Sequence, residues 1–156
     1  MSLDSSDQAA SRTAAREAIA DLVHGYALVV RRGEAARCPE LFTADGSFET
    51  REGDPRDRAN TRRLSLAEGR EAVGRYLAAS TSRVRMLPMI HNLIIEIDSD
   101  RATASSLMVG RPWPEGPEVI GEYADNFRRE HGQWLFSSRV YTIFRTTPNA
   151  SAAATA

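Results

Sequence analysis

An α+β domain, with helices packed on a strongly curved and mostly antiparallel sheet, is predicted by three features of this sequence. The first half carries apolar residues at spacings of three and four. The second half carries β-branched and aromatic runs separated by turn residues, and the two kinds of segment do not alternate. Helices followed by a run of strands is the α+β order, because a parallel sheet needs helical crossovers between its strands. The 156 residues suit one domain. Its expected boundaries are a flexible 1–10, a domain over 11–146 and a flexible tail over 147–156, where "TPNASAAATA" offers little to pack.

The first helix is expected from Ser11 to Arg32. Ile19, Leu22, Val23, Tyr26 and Val30 form one apolar stripe, Asp7 or a nearby serine can cap the start, and Gly33 is a natural stop. Asp21 and His24 fall away from the stripe and are read as facing solvent. A short second helix is expected over Glu34 to Phe42, started or kinked by Pro39. "ADGSFET" reads as a turn opening into a strand, with Asp45–Gly46 suited to positive φ. Residues 51–64 are charged and aperiodic, which reads as a mobile loop. A third helix lies within "LAEGREAVGRYLAAS", with Ala72, Val73, Tyr76 and Leu77 on one face. It starts either at a Ser65/Glu68 capping box or at Gly69. Four strands follow in "MIHNLIIEID", "RATASSLMVG", "EVIGEYADNFRRE" and "QWLFSSRVYTIF", the last two joined by a hairpin at "EHGQ". A bent sheet under helices encloses a cavity, and such pockets are apolar with a few convergent polar groups.

Composition excludes several classes of function. Twenty basic against 21 acidic residues give a net charge of −1, which draws the chain neither to nucleic acid nor to an anionic membrane. The single cysteine, Cys38, excludes an internal disulfide and a cysteine metal cluster, and suits a reducing cytoplasm. No stretch is long and apolar enough to span a bilayer, and the polar "MSLDSSDQAA" has no signal-peptide pattern. There is no metal-ligand spacing, phosphate-binding glycine loop or nucleophile elbow, so neither a metal nor any other cofactor is expected.

Three segments, "REAIADLVHGYALVVRRGEAARCPELFTADGSFE", "HNLIIEIDSDRATASSLMV" and "GEYADNFRREHGQWLFSSRVYTIF", resemble the SnoaL-like branch of the NTF2-like superfamily over roughly residues 15–145. The resemblance implies a helix-lidded cone, which members often pair into homodimers through the open sheet. The superfamily includes polyketide cyclases, dehydratases, a dehydrochlorinase, steroid isomerases and plain binding or scaffolding proteins, so the fold does not name the reaction. Dehydratase-type members are implied to use an Asp–His pair for proton abstraction. Here Tyr26 matches their pocket tyrosine and Asn92 their asparagine, but Arg31 stands in the aspartate's place and Pro88 in the histidine's. The carboxylate base of the isomerases is replaced by Thr50. His91 matches a second histidine directly before the asparagine, not the catalytic one.

Strand alternation places Pro88, Ile90, Asn92 and Ile94 on one face and Met89, His91, Leu93 and Ile95 on the other. His91 is thus a candidate acid–base group only if a bulge at the proline reverses the facing; otherwise it packs in the sheet or a subunit interface. Arg139 matches a pocket arginine of dehydrochlorinase-like members and alternates with Leu135, Ser137 and Tyr141. Arg139, the Tyr26 hydroxyl and an inward Arg31 would suit a carboxylate, phenolate or enolate oxygen. Arg31 is equally explained as a cation at a helix C-terminus. Asp125 shares a face with Gly121, Tyr123 and Phe127, where it can pair with an inward arginine or act as a base. Two readings stay open. One is a cofactor-independent lyase or isomerase acting on a hydrophobic, oxygenated substrate through Tyr26, Arg139 and His91, with Arg31, Asn92, Tyr123, Asp125 and Tyr141 as ligand-binding residues. The other is a catalytically empty member that binds a ligand or a partner protein.

Overall fold

The computed structural model describes residues 5–54 and 56–144. Helix α1 (Ser5–Arg32) leads through a 3-10 segment (Ala35–Leu41) into strand β1 (Phe42–Gly53), a 3-10 turn (Arg58–Asn60) and β2 (Arg62–Glu68). Helix α2 (Arg70–Arg83) follows, then β3 (Arg85–Asp98), β4 (Arg101–Trp113), β5 (Val119–Glu130) and β6 (Gln133–Phe144). The six strands form one sheet in the order β2-β1-β6-β5-β4-β3, antiparallel throughout except where β1 runs parallel to β6. The expected α+β, NTF2-like cone is therefore present, with the helices on the concave face. No helix among the described residues is long and apolar enough to cross a membrane.

The stripe expected on α1 is the buried one. Ile19, Val23, Tyr26 and Val30 meet Phe42, Phe48, Phe127 and Phe136 in a single core, and burying each such side chain contributes about 1.5–3 kcal/mol. Arg16 ties the helix to the sheet by donating from Nη1 to the carbonyl of Ile95 at 2.7 Å. The C-terminus of α1 closes with two hydrogen bonds, Glu34 N–H to Val29 O (3.0 Å) and Gly33 N–H to Val30 O (3.1 Å). Gly33 sits at φ 73°, a left-handed position that glycine takes without a Cβ penalty. The β5–β6 hairpin turns on His131 and Gly132, both at positive φ, as a two-residue hairpin requires.

Several elements differ from the sequence expectation. α1 begins at Ser5, so part of the segment expected to be flexible is helical, while 147–156 lies outside the described residues. The second helix is 3-10 rather than α, since Pro39 sits inside it. Much of the expected loop at 51–64 is strand, because its charges pair across the β1–β2 ladder: Arg63 reaches Glu49 at 2.9 Å and Arg62 reaches Glu52. Ser65 belongs to β2, so α2 starts at Gly69 without a capping box. Asp45 is within β1, not in a positive-φ turn; it pairs with Arg128 at 2.6 Å.

The sheet bends at a set of bulges, and these reset side-chain facing. On β3 the register passes from His91↔Leu107 to Ile94↔Ser105, leaving two residues opposite one, with Asn92 at φ 51°. Before this bulge Met86, Pro88 and Ile90 face inward; after it Leu93, Ile95 and Ile97 do. Ile94, expected beside Pro88, is 61% exposed. On β6 the register passes from Phe127↔Phe136 to Asn126↔Ser138. Ser137 is the extra residue, so Trp134 and Phe136 face inward instead of Leu135 and Ser137, while Arg139 and Tyr141 keep their inward facing. An extra residue in one strand bends it and increases local twist, which is what turns this sheet into a cone.

Candidate functional site

A cavity of about 250 Å³ opens at the wide end of the cone. It is walled by Tyr26 and Val30 from α1, Phe48 and Thr50 from β1, and Tyr76, Leu77, Ser80, Thr81 and the following Val84 around α2. Met86, Pro88, Met108, Val119, Tyr123, Tyr141 and Ile143 complete it from the remaining strands. The wall is apolar and aromatic, and its polar atoms are hydroxyls. Larger grooves exist, one of about 580 Å³, but that one is a shallow surface groove lined largely by outward polar side chains, Glu96, Asp98, Arg101, Asn126 and Ser138.

Each phenol reaches the wall for a local reason. Tyr26 lies on the apolar stripe of α1 and packs its ring 6.3 Å from that of Phe48. Tyr123 and Tyr141 are direct cross-strand neighbours on β5 and β6, with centroids 5.0 Å apart. Tyr76 comes from α2, and its oxygen lies 2.9 Å from Thr50 Oγ1 while accepting from Ser65 Oγ at 3.0 Å. Burial drives the Tyr26 phenol well above its usual pKa, against the opposing pull of the Arg139 cation. Burial likewise pushes Tyr123 up to about 12 despite Arg139. Both remain protonated donors at neutral pH.

Behind this wall lies a sealed ion pair. Arg139 donates from Nε to Asp125 Oδ1 and from Nη2 to Asp125 Oδ2, both at 2.8 Å, and both side chains are fully buried. The guanidinium carbon sits 3.8 Å from the Tyr123 ring centroid, 4.3 Å from Phe136 and 4.4 Å from Tyr26, a desolvated cation–π arrangement. Nη1 has no hydrogen-bond partner. Burial opposes the Arg139 charge, but the facing Asp125 carboxylate holds it firmly protonated.

The expected site residues thus separate into three groups. Tyr26, Tyr123 and Tyr141 come together in the cavity wall. Arg139 and Asp125 are inward but spend their charges on each other, so Arg139 is not the free anion anchor expected of it, and Asp125 is not an available base. His91, Asn92 and Arg31 are exposed and outside the wall. His91 points outward because the β3 bulge lies after it rather than at Pro88. Asn92 is turned out by the bulge itself, and Arg31 extends from the last turn of α1 as a C-terminal cation. Thr50, Met108, Ser80 and Thr81 line the cavity without having stood out as candidates; of these, the helical spacing from Tyr76 and Leu77 to Ser80 and Thr81 was the available signal. Among the described residues no group of three or more His, Cys, Asp or Glu could hold a metal ion.

A family model described as a SnoaL-like domain matches residues 11–140. No curated protein matches the sequence. Among solved structures, a Mycobacterium tuberculosis protein of unknown function superposes with a TM-score of 0.75 at 23% identity, covering 97% of this chain and 82% of its own. A Novosphingobium aromaticivorans NTF2-like protein with a cystatin-like fold gives 0.73 at 19% identity, covering 98% of each chain. A protein from the same organism, provisionally named a scytalone dehydratase, gives 0.71 at 20% identity, covering 89% of this chain and 90% of its own. At these identities the likeness is one of fold.

Proposed function

Because the chain belongs to the SnoaL-like family, whose members share a hollow cone and differ in what they do with it, we propose that this one is a small-molecule binding protein. Its ligand is a hydrophobic, partly oxygenated compound of the aromatic or polyketide-like kind. One observation carries this reading: every titratable group in the cavity wall is a phenol, and the two innermost are held protonated by burial. Such a wall donates hydrogen bonds to a ketone, ether or phenol oxygen and offers no base at neutral pH. No hydrogen bond to another described residue engages the Tyr26 or Tyr123 hydroxyl, which leaves both for a ligand oxygen.

A lyase or isomerase is the second reading, and the guanidinium stacked behind Tyr26 and Tyr123 favours it. A cation there strengthens both phenols as donors to an enolate oxygen, the oxyanion role. The proton would then have to leave to water or to the substrate itself, since the family's aspartate and histidine are Arg31 and Pro88. No cofactor is invoked by either reading. We also propose a homodimer through the exposed apolar residues on the outer sheet face, Met89, Ile94 and Ile120, and a cytoplasmic location, which the single cysteine supports; sedimentation of the full chain as a monomer at micromolar concentration would dismiss the dimer.

The test is titration with phenylnaphthylamine, an uncharged dye that brightens in apolar sites. One saturable site is expected, lost in Val119→Trp, which fills the half-buried rim. Non-saturable binding, or saturation that survives Val119→Trp unchanged, would remove the cavity from consideration.

A further inference from the structure

The cavity's volume of about 250 Å³ falls below the ~300–1,000 Å³ usual for ligand pockets, so a drug-sized ligand must extend through the mouth. What it meets there is basic. Val30 is the last wall residue of α1, and Arg31 and Arg32 follow it directly. Arg85 lies between Val84 and Met86, both wall residues, and its Nη2 would stand 4.0 Å from a Cβ placed on Gly33. The guanidinium of Arg85 is therefore laid over the turn that carries Arg31 and Arg32. All three are exposed.

Four acids near this end of the cone are engaged elsewhere, while exposed Glu115, two residues past the Trp113 that pairs with Arg85, makes none of the ion pairs among the described residues. Glu34 pairs with Arg37 at 2.9 Å, Glu118 with Arg111 at 3.2 Å, Glu122 with Arg58 at 2.7 Å, and Glu52 with Arg62. None of the ion pairs among the described residues reaches Arg31, Arg32 or Arg85. The negative end of the α1 dipole accounts for two cations in its last turn. It does not account for a third, delivered from another element to the same turn and held in no ion pair.

We propose that the ligand is an amphiphilic organic anion whose apolar body fills the tyrosine-walled cavity and whose anionic head rests at the mouth on Arg31, Arg32 and Arg85. This rests on the cavity reading above and adds the charge and the orientation of the ligand. Arginine suits the head because its planar fork of donors matches a carboxylate or phosphate-like group and stays charged at any working pH. The arrangement divides the ligand as the protein is divided, with no charge brought into the apolar interior.

The experiment compares two dyes that share one ring system: anilinonaphthalene sulfonate, which carries an anion, and phenylnaphthylamine, which does not. The wild-type chain is expected to hold the sulfonate at least about fivefold more tightly, the sum of several modest exposed ion pairs, and added salt should erode that preference. Arg31→Gln/Arg85→Gln should abolish the preference while leaving phenylnaphthylamine affinity unchanged. Arg12→Gln/Arg129→Gln, the same loss of two positive charges beside the other end of α1, should leave the preference intact. Equal affinity for the two dyes in the wild type overturns the mouth site and spares the cavity, as does an equal loss of both dyes in the double variant. Absence of saturable binding by either dye overturns both.

Discussion

Asp125 and Arg139 stand directly opposite one another on β5 and β6, and their side chains close a two-pronged ion pair from which water is excluded. The pair forms because both residues face inward at matched register and because three aromatic rings accept the guanidinium face. Removing one partner strands the other charge in an apolar interior. Arg139→Met and Asp125→Ala are each expected to cost about 3–5 kcal/mol, with the double variant costing less than the sum of the singles. Urea unfolding midpoints of the four proteins decide this. Strict additivity would mean that the two charges do not depend on each other.

The phenols give a pH signature. Tyr26 and Tyr123 ionise later folded than unfolded, so the stability they contribute is full below about pH 10 and is lost at higher pH, for Tyr123 as pH rises through about 12. Above pH 10 the unfolded chain has released protons that the folded chain still holds, and stability falls with pH. In a spectrophotometric titration of the native protein, the tyrosinate signal of Tyr123 should appear near pH 12 and that of Tyr26 well above the usual phenol range. Tyr26→Phe and Tyr123→Phe should each remove delayed signal. All four tyrosines ionising together near pH 10 in a folded chain would contradict the buried wall.

Tyr26→Phe also separates packing from recognition. The ring keeps its contacts with Phe48 and Arg139, so stability should change by less than about 1 kcal/mol. Affinity for a ligand bearing a ring ketone or phenol should drop about two- to tenfold, the worth of one neutral hydrogen bond. Calorimetric titration against an oxygenated ligand and its deoxygenated analogue tests this: the variant should discriminate between them less than the wild type does.

Gly121 brings the backbone of β5 close against Tyr141 and Thr142 of β6. A Cβ there would stand 2.4 Å from the carbonyl oxygen of Thr142 and 2.6 Å from Cε2 of Tyr141. Backbone cannot yield as a flexible side chain can, so Gly121→Ala is expected to cost about 1–3 kcal/mol and to press the Tyr141 ring into the cavity. Lower thermal stability together with weaker phenylnaphthylamine binding is the expected pair of outcomes. A variant as stable as the wild type would show that β5 and β6 can part at this point.

Periodicity made much of this legible. The stripe on α1 named Ile19, Val23, Tyr26 and Val30 as buried, and alternation on β5 put Tyr123, Asp125 and Phe127 on the inner face, because each segment keeps a regular period where those residues lie. Alternation failed where a bulge intervenes. Ile94 was expected inward beside Pro88, and Leu135 and Ser137 inward beside Arg139, because an inserted residue leaves no mark in a period-two pattern. The Asp125–Arg139 partnership depends on pairing between strands, which the facing of each strand alone does not give. For the same reason an inward arginine as partner of Asp125 and an Arg139 free to anchor an anion both stayed open until the register was known. The β2 strand was hidden by its own charges: Arg62 and Arg63 look like loop residues until Glu52 and Glu49 stand across from them.

The place of β6 in the sheet has a consequence for how the chain is made. β6 lies between β5 and β1, and its partner β1 was synthesised some ninety positions earlier. The β1–β2 ribbon can rest on α1 and α2 through Tyr26 and Tyr76, but its pairing into the rest of the sheet waits for β6, and such distant pairings are slow to form. Until then Phe42 lacks its Phe136 neighbour and the β1 edge that will carry β6 stays unpaired on a growing polypeptide, which makes β6 both the seal of the container and the moment of greatest exposure to aggregation before it closes.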